Sequence, residues 1–121
     1  MAKYIVIGLG NFGSSLSAKL TSLGHEVIAV DNSPSKVEHY KDCVTNTICM
    51  DVTEEAALRT LPIKDSDAVI MSIGEDFGAS VHSTALLKQL GAKRIIGRVI
   101  NPVHETIIAA IGVDDLIMPE E

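Results

Sequence analysis

The stretch Lys3-Tyr4-Ile5-Val6-Ile7-Gly8-Leu9-Gly10-Asn11-Phe12-Gly13 decides how the rest of the chain is read. Tyr4 to Ile7 is an unbroken run of β-branched and aromatic residues, the composition of a strand buried on both faces, and Gly8 stops it. Phe12, Leu16, Leu20 and Leu23 then recur at three- and four-residue spacing, so residues 11–23 are predicted helical, with Gly24 ending them. A Gly-x-Gly-x-x-Gly turn between strand and helix is the setting in which that pattern carries chemistry. Gly8 permits the tight turn, Gly10 lets a diphosphate approach the backbone, and Gly13 lets the helix pack closely on the strand. The free N–H groups at the helix start, aided by the helix dipole, then face the phosphate.

Working outward, the same unit repeats. Residues 26–30 read as a second strand closed by Asp31, and Ser33-Pro34 as the cap and first-turn proline of a helix to Tyr40. Residues 46–50 read as strand three. Thr53 is expected to cap a helix to about Thr60, with Glu54 and Glu55 at its positive end. Residues 68–73 read as strand four, 77–90 as the longest helix, and 94–100 as strand five. Asn101-Pro102 opens a helix to Ile111, and residues 115–118 form a short sixth strand stopped by Pro119. This alternation predicts an α/β fold: one Rossmann-type doubly wound parallel sheet over residues 1–121, helices on both faces, strand order 3-2-1-4-5-6.

Composition narrows the function. Of 121 residues, 46% are hydrophobic but only 3% aromatic, so the core must be Ile, Val, Leu and Ala. Sixteen Asp and Glu against ten Lys and Arg give a net charge of −6 with no basic run, which argues against nucleic acid or an anionic membrane bound by bulk charge. The apolar runs fall far short of the ~20 residues a spanning helix needs. Residues 1–3 lead straight into a strand, so no signal peptide is expected and the chain reads as soluble and cytosolic. Cys43 and Cys49 form neither a redox pair nor a ligand set and read as small buried hydrophobes in a reducing compartment. His25, His39, His82 and His104 have no ligand spacing; they read as surface or helix-end residues, and no metal site is expected.

The strand ends supply the remaining candidates. A carboxylate at Asp31 can accept both hydroxyls of an adenosine ribose and would repel a 2′-phosphate, for which Asn32 and Ser33 offer no arginine. NADP is therefore disfavoured, and NAD, ATP, ADP or AMP remain. A P-loop is excluded because no Gly-Lys-Ser/Thr follows the glycines. Asp51-Val52 would lie beside the adenine, or Asp51 and Thr53 would merely start the next helix. Gly74 leaves space beside the ribose, while Glu75 and Asp76 either line the site or cap the long helix. Arg98 lies within the apolar run of Ile95, Ile96, Val99 and Ile100, where it needs a structural ion pair or a ligand phosphate. Catalysis would need a positioned proton donor or acceptor. Tyr4 and Tyr40 have Gly8 and Val44, not lysine, four residues on, and His82 and His104 read as facing solvent. Binding without turnover is thus expected. The alternatives are the NAD-binding domain of an oxidoreductase and an interaction module whose nucleotide is structural.

The chain also resembles a known family, the N-terminal nucleotide-binding lobe of regulator-of-potassium-conductance proteins (RCK or KTN), also called the TrkA-N domain. The resemblance extends over essentially the whole chain. It rests on Tyr4 to Gly13, Gly24-His25-Glu26-Val27-Ile28-Ala29-Val30-Asp31, Asp51-Val52-Thr53, Ile73-Gly74-Glu75, Arg98 with Asn101-Pro102, and the close from Gly112-Val113-Asp114 to Met118-Pro119-Glu120. It implies a cytoplasmic regulatory subunit that binds NAD(H) or ATP/ADP/AMP as an effector and gates a membrane potassium transporter or channel. Such a subunit is peripheral at the inner face through its pore partner, and assembles as homodimers and octameric rings. By position the resemblance gives phosphates to Gly8, Gly10, Gly13 and Arg98, a ribose to Asp31, adenine to Asp51 and Val52, and a distal ribose wall to Ile73 and Gly74. Asn11, Phe12, Asn32 and Glu75 complete the set. Asn11 stands where ATP-responsive members often carry arginine, so strong preference for ATP over ADP is not expected. The family usually continues into a C-terminal lobe that 121 residues do not include, and Glu120 matches an acidic position that in some members sits near a cation.

Overall fold

A computed structural model describes residues 1–118; the expectations for Pro119 and Glu120 lie outside the described residues. Eleven elements alternate along them: β1 (Lys3–Ile7), α1 (Asn11–Ser22), β2 (Glu26–Asp31), α2 (Pro34–Tyr40), β3 (Asn46–Cys49), α3 (Glu55–Leu58), β4 (Ala68–Met71), α4 (Phe77–Gln89), β5 (Ile95–Arg98), α5 (Pro102–Ile111) and β6 (Asp115–Ile117). All pairings are parallel, in one six-stranded sheet of order β3-β2-β1-β4-β5-β6. The doubly wound order expected from the sequence is the observed one.

The period-two geometry of a strand sorts β1 between two cores. Ile5 and Ile7 enter a cluster with Val30, Val69, Met71 and Leu87, while Val6 enters another with Val27, Ala29 and Ile70. Phe12, Leu16 and Leu20 of α1, with Val37 and Tyr40 of α2, cover the second cluster. Leu58 of α3 and Leu87 of α4 cover the first. The core is aliphatic, as the scarcity of aromatics required.

Caps explain most helix starts. Ser33 Oγ accepts from the Lys36 N–H, Asp76 Oδ1 from the Ala79 N–H, and Asn101 Oδ1 from the His104 N–H. The third helix departs from expectation: it begins at Glu55 after Glu54, not after a Thr53 cap. Asp51 Oδ1 accepts from both the Thr53 N–H (2.9 Å) and the Thr53 hydroxyl (2.6 Å), which occupies the threonine in a local turn. Strand four ends at Met71, two residues early: the Ser72 N–H still donates to the Ile7 carbonyl, while its hydroxyl bonds to the Ile7 and Gly8 carbonyls. Two further expectations fail. Cys43 and Cys49 are exposed, one in the turn after α2 and one ending the edge strand β3. His104 is fully buried, not solvent-facing, because its ring packs edge-on to Phe77 and against α4. Among the described residues, no helix is long and apolar enough to cross a membrane.

Candidate functional site

The carboxyl ends of the central strands open into a cleft of about 420 Å³, within the range of small-molecule sites. It lies where strand order reverses, between β1 and β4, the position at which open α/β sheets take ligands.

The glycine turn forms one wall. The Gly8 N–H donates to the Val30 carbonyl at 2.8 Å, and Gly8 adopts φ +101°, which an L side chain tolerates poorly. Gly13 answers a different need. A Cβ there would collide with the Gly8 carbonyl oxygen and lie 2.5 Å from Ser72 Oγ, so α1 approaches β1 as closely as it does only because the side chain is absent. Gly10 answers neither: its φ of −71° suits any residue, and a Cβ would meet nothing within 4 Å. It is bare toward the cleft alone. As N-cap of α1 it offers no side-chain bond, so the first N–H groups of that helix have no intrahelical partner and stand at the cleft.

Asp31 locks this wall. Its Oδ2 accepts from the Leu9 N–H at 2.7 Å and its Oδ1 from the Ser33 N–H at 2.8 Å. A carboxylate has about four lone-pair sites, so both oxygens can still accept ribose hydroxyls. Asn32 and, from the β3 end, Asp51 and Val52 continue the lining. The two Thr53 bonds, hydroxyl first, hold the Asp51 carboxyl below its ordinary range, so it stays charged.

The opposite wall is built from side chains. Ile73, Gly74 and Glu75 follow β4, and Arg98 ends β5. The Arg98 guanidinium lies 5.4 Å from the centroid of the Phe12 ring, a cation–π contact, and a Cβ on Gly74 would come within 2.6 Å of its Nη1. Of the two settings open to Arg98, no carboxylate pairs with it among the described residues, so the cation is held by an aromatic face and turned to the cleft.

Eleven of the thirteen residues singled out in the sequence therefore line one cleft; Phe12 and Gly13 stand behind it and shape it. Asp76 also lines it while capping α4, so both roles proposed for that region hold together. Sequence reasoning missed Lys36 and Thr53 on the lining. Lys36 was findable: a helix that begins three residues after a strand-end carboxylate directs its first turn to the same edge. Ser72, at the end of β4, also lines the cleft, and its hydroxyl bonds the Ile7 and Gly8 carbonyls of the β1 turn.

Known proteins agree with this architecture. Ktr system potassium uptake proteins C and A of Bacillus subtilis (strain 168) are 37% identical over 118 residues and 39% identical over 119 residues; each match covers 98% of this chain, and 53% and 54% of those proteins. The chain thus spans about half the length of these curated relatives. The NAD(P)-binding domain of an exopolyphosphatase-related protein from Archaeoglobus fulgidus matches with a TM-score of 0.87 and 28% identity, over 98% of this chain and 88% of that one. A Shewanella denitrificans Kef CTD in AMP-bound form, at 21% identity and a TM-score of 0.80 over 97% of this chain and 71% of that one, shares the fold. The family model of the TrkA-N domain matches residues 4–119, which takes in the glycine turn, Asp31 and the whole cleft, and the chain belongs to that family.

Proposed function

We propose that this chain is the nucleotide-sensing lobe of a regulatory subunit of a potassium transporter or channel, and that it binds NAD(H) or ATP/ADP/AMP as an effector. The observation that carries the nucleotide part is Gly10: nothing in the protein requires a glycine there, and a phosphate at the α1 N-terminus does. In this reading Gly8, Gly10, Asn11 and Arg98 surround phosphate, with Phe12 and Gly13 supporting them. Asp31 and Asn32 take the ribose, Asp51 and Val52 the adenine, and Ile73, Gly74 and Glu75 the distal ribose. Asp31 disfavours NADP.

The transport part rests on the similarity to potassium uptake proteins. The lobe acts at the inner face of the membrane through a pore subunit, as a homodimer or within an octameric ring, and a second lobe completes each subunit. No bond is made or broken. Among the described residues no histidine, tyrosine or cysteine lines the cleft, which leaves an oxidoreductase without its usual proton relay. Effector action then requires the ligand to bind two assembly states with different affinity.

Isothermal titration with NAD, NADH, ATP, ADP and AMP tests the reading. Binding without turnover is expected, with Asp31→Ala abolishing it. Failure of all five to bind overturns it, and hydride transfer to a small substrate would restore the oxidoreductase.

A further inference from the structure

A second, more open groove lies beside the first, between the α1 N-terminus and α2, and includes Asn11, His39 and Tyr40. Four residues belong to both grooves: Gly10, Asn11, Lys36 and Glu75. Lys36 comes from the first turn of α2 and Glu75 from the loop before α4, on opposite sides of the opening. Their charged atoms, Nζ and Oε1, are 4.0 Å apart, so the pair bridges two elements that, with Gly10, line both grooves.

The charges inside make this pair consequential. Four carboxylates (Asp31, Asp51, Glu75, Asp76) line the cleft against two cations, Lys36 and Arg98. Arg98 lies over the Phe12 ring on the far wall. A ligand that adds two or three phosphate charges to such a site therefore depends on Lys36, the only other cation on the lining among the described residues. The present partner of Lys36 does not hold it firmly. The Glu75 side chain is 85% exposed, Lys36 is 42% exposed, and a pair at 4.0 Å in water is weak. A phosphate oxygen seated at Gly10 competes for the ammonium with more charge and less solvent.

We propose that Lys36 is the specificity-determining residue that reads the number of 5′-phosphates on the nucleotide, and that Glu75 competes with the phosphate for it. The proposal rests on the nucleotide reading above. Phosphate can reach Lys36 from the 5′-chain or from a 2′-phosphate beyond Asp31, and the structure favours the 5′-chain because Gly10 and Lys36 share both grooves.

The test is titration of the protein and of Lys36→Met with adenosine, AMP, ADP, NAD and NADP. Methionine keeps the apolar stem and removes the charge. The expected result is unchanged adenosine affinity, a small loss for AMP, and a loss of about tenfold for ADP, the scale of one charge-assisted bond. Glu75→Gln should move ADP affinity in the opposite direction and leave adenosine alone. Equal loss for adenosine and ADP in Lys36→Met, or no loss for either, overturns the proposal. A loss confined to NADP assigns Lys36 to the 2′-position and overturns it as well. If the unaltered protein binds none of the five, the nucleotide reading itself fails and takes this inference with it.

Discussion

The two walls of the cleft are made by different means. The wall from β1 to α1 is shaped by backbone: Gly8 supplies a positive φ, Gly13 an approach no Cβ survives, and the Leu9 N–H is tied to the Asp31 carboxylate. The wall from β4 to β5 is side chain: Arg98 rests on Phe12 beside a bare Gly74. Backbone construction is rigid and fails all at once, whereas side-chain construction adjusts and fails by degrees. The first wall therefore ties ligand binding to folding, and the second can tune affinity at little cost to stability.

The sharpest way to break this comparison is Gly13→Ala. Alanine improves helix propensity by ~1 kcal/mol, yet its methyl group meets the Gly8 carbonyl, which cannot yield without moving β1. We expect a loss of at least about 3 kcal/mol, seen as a fall in melting temperature of roughly 10 °C or more in calorimetry. A variant as stable as the parent would mean that the turn is not rigid.

Gly10→Ala, three residues away, should do the reverse. Alanine is a poorer N-cap than glycine, so stability falls by about 1 kcal/mol at most, while nucleotide affinity drops about thirtyfold or more because the methyl group stands in the phosphate's place. Urea unfolding and titration calorimetry on the same sample separate the two. Undiminished binding would remove the observation on which the nucleotide reading rests.

The same contrast governs how far the sequence could be read. The glycine turn, the strand order and Asp31 were legible because each follows from a local rule: period, breaker, or the residue at a strand tip. The far wall was only half legible. Arg98 was conspicuous in its apolar run, but what holds it is Phe12, eighty-six positions away in the chain, and no local pattern joins them. Thr53 failed as a cap for a related reason: its N–H and hydroxyl are drawn into a local turn on a carboxylate two residues earlier, and the helix starts only at Glu55. His104 was misplaced because helix-start histidines usually face water; here α5 packs against α4 and turns the ring inward.

Gly74→Ala probes the adjustable wall. The new Cβ would press on the end of a flexible arginine, so the guanidinium shifts and stability changes by less than about 0.5 kcal/mol. Affinity for AMP should fall severalfold, short of the tenfold or more expected for complete loss of a charge-assisted bond, with adenosine unaffected. Titration of both ligands decides. A drop in adenosine affinity as large as that for AMP would show that Gly74 touches the ribose directly and does not act by positioning Arg98.

The smallest expected effect concerns the support behind that wall. His104 is buried, its Nδ1 accepting from the Ile100 N–H at 3.0 Å and its Nε2 lying 2.8 Å from Ser80 Oγ. Since Nδ1 accepts, the ring is neutral with its proton on Nε2, donated to Ser80. Burial disfavours the imidazolium and lowers the His104 pKa from its ordinary 6.5. Below about pH 6.5 the unfolded chain therefore binds a proton that the folded chain refuses. Stability from this group is complete above that pH and declines as the pH falls toward the lower folded value. A second proton on Nδ1 would face the Ile100 N–H and break the bond that ties the turn after Arg98 to α5. Between pH 7.5 and 5.5, amide exchange at Ile100, corrected for its intrinsic rate, should accelerate while that at Leu9, held by Asp31, does not. His104→Asn, which keeps an acceptor near the Nδ1 position, should be less stable at every pH but abolish the difference between the two amides. Equal acceleration of Leu9 and Ile100 in the parent would show that acid loosens both walls together.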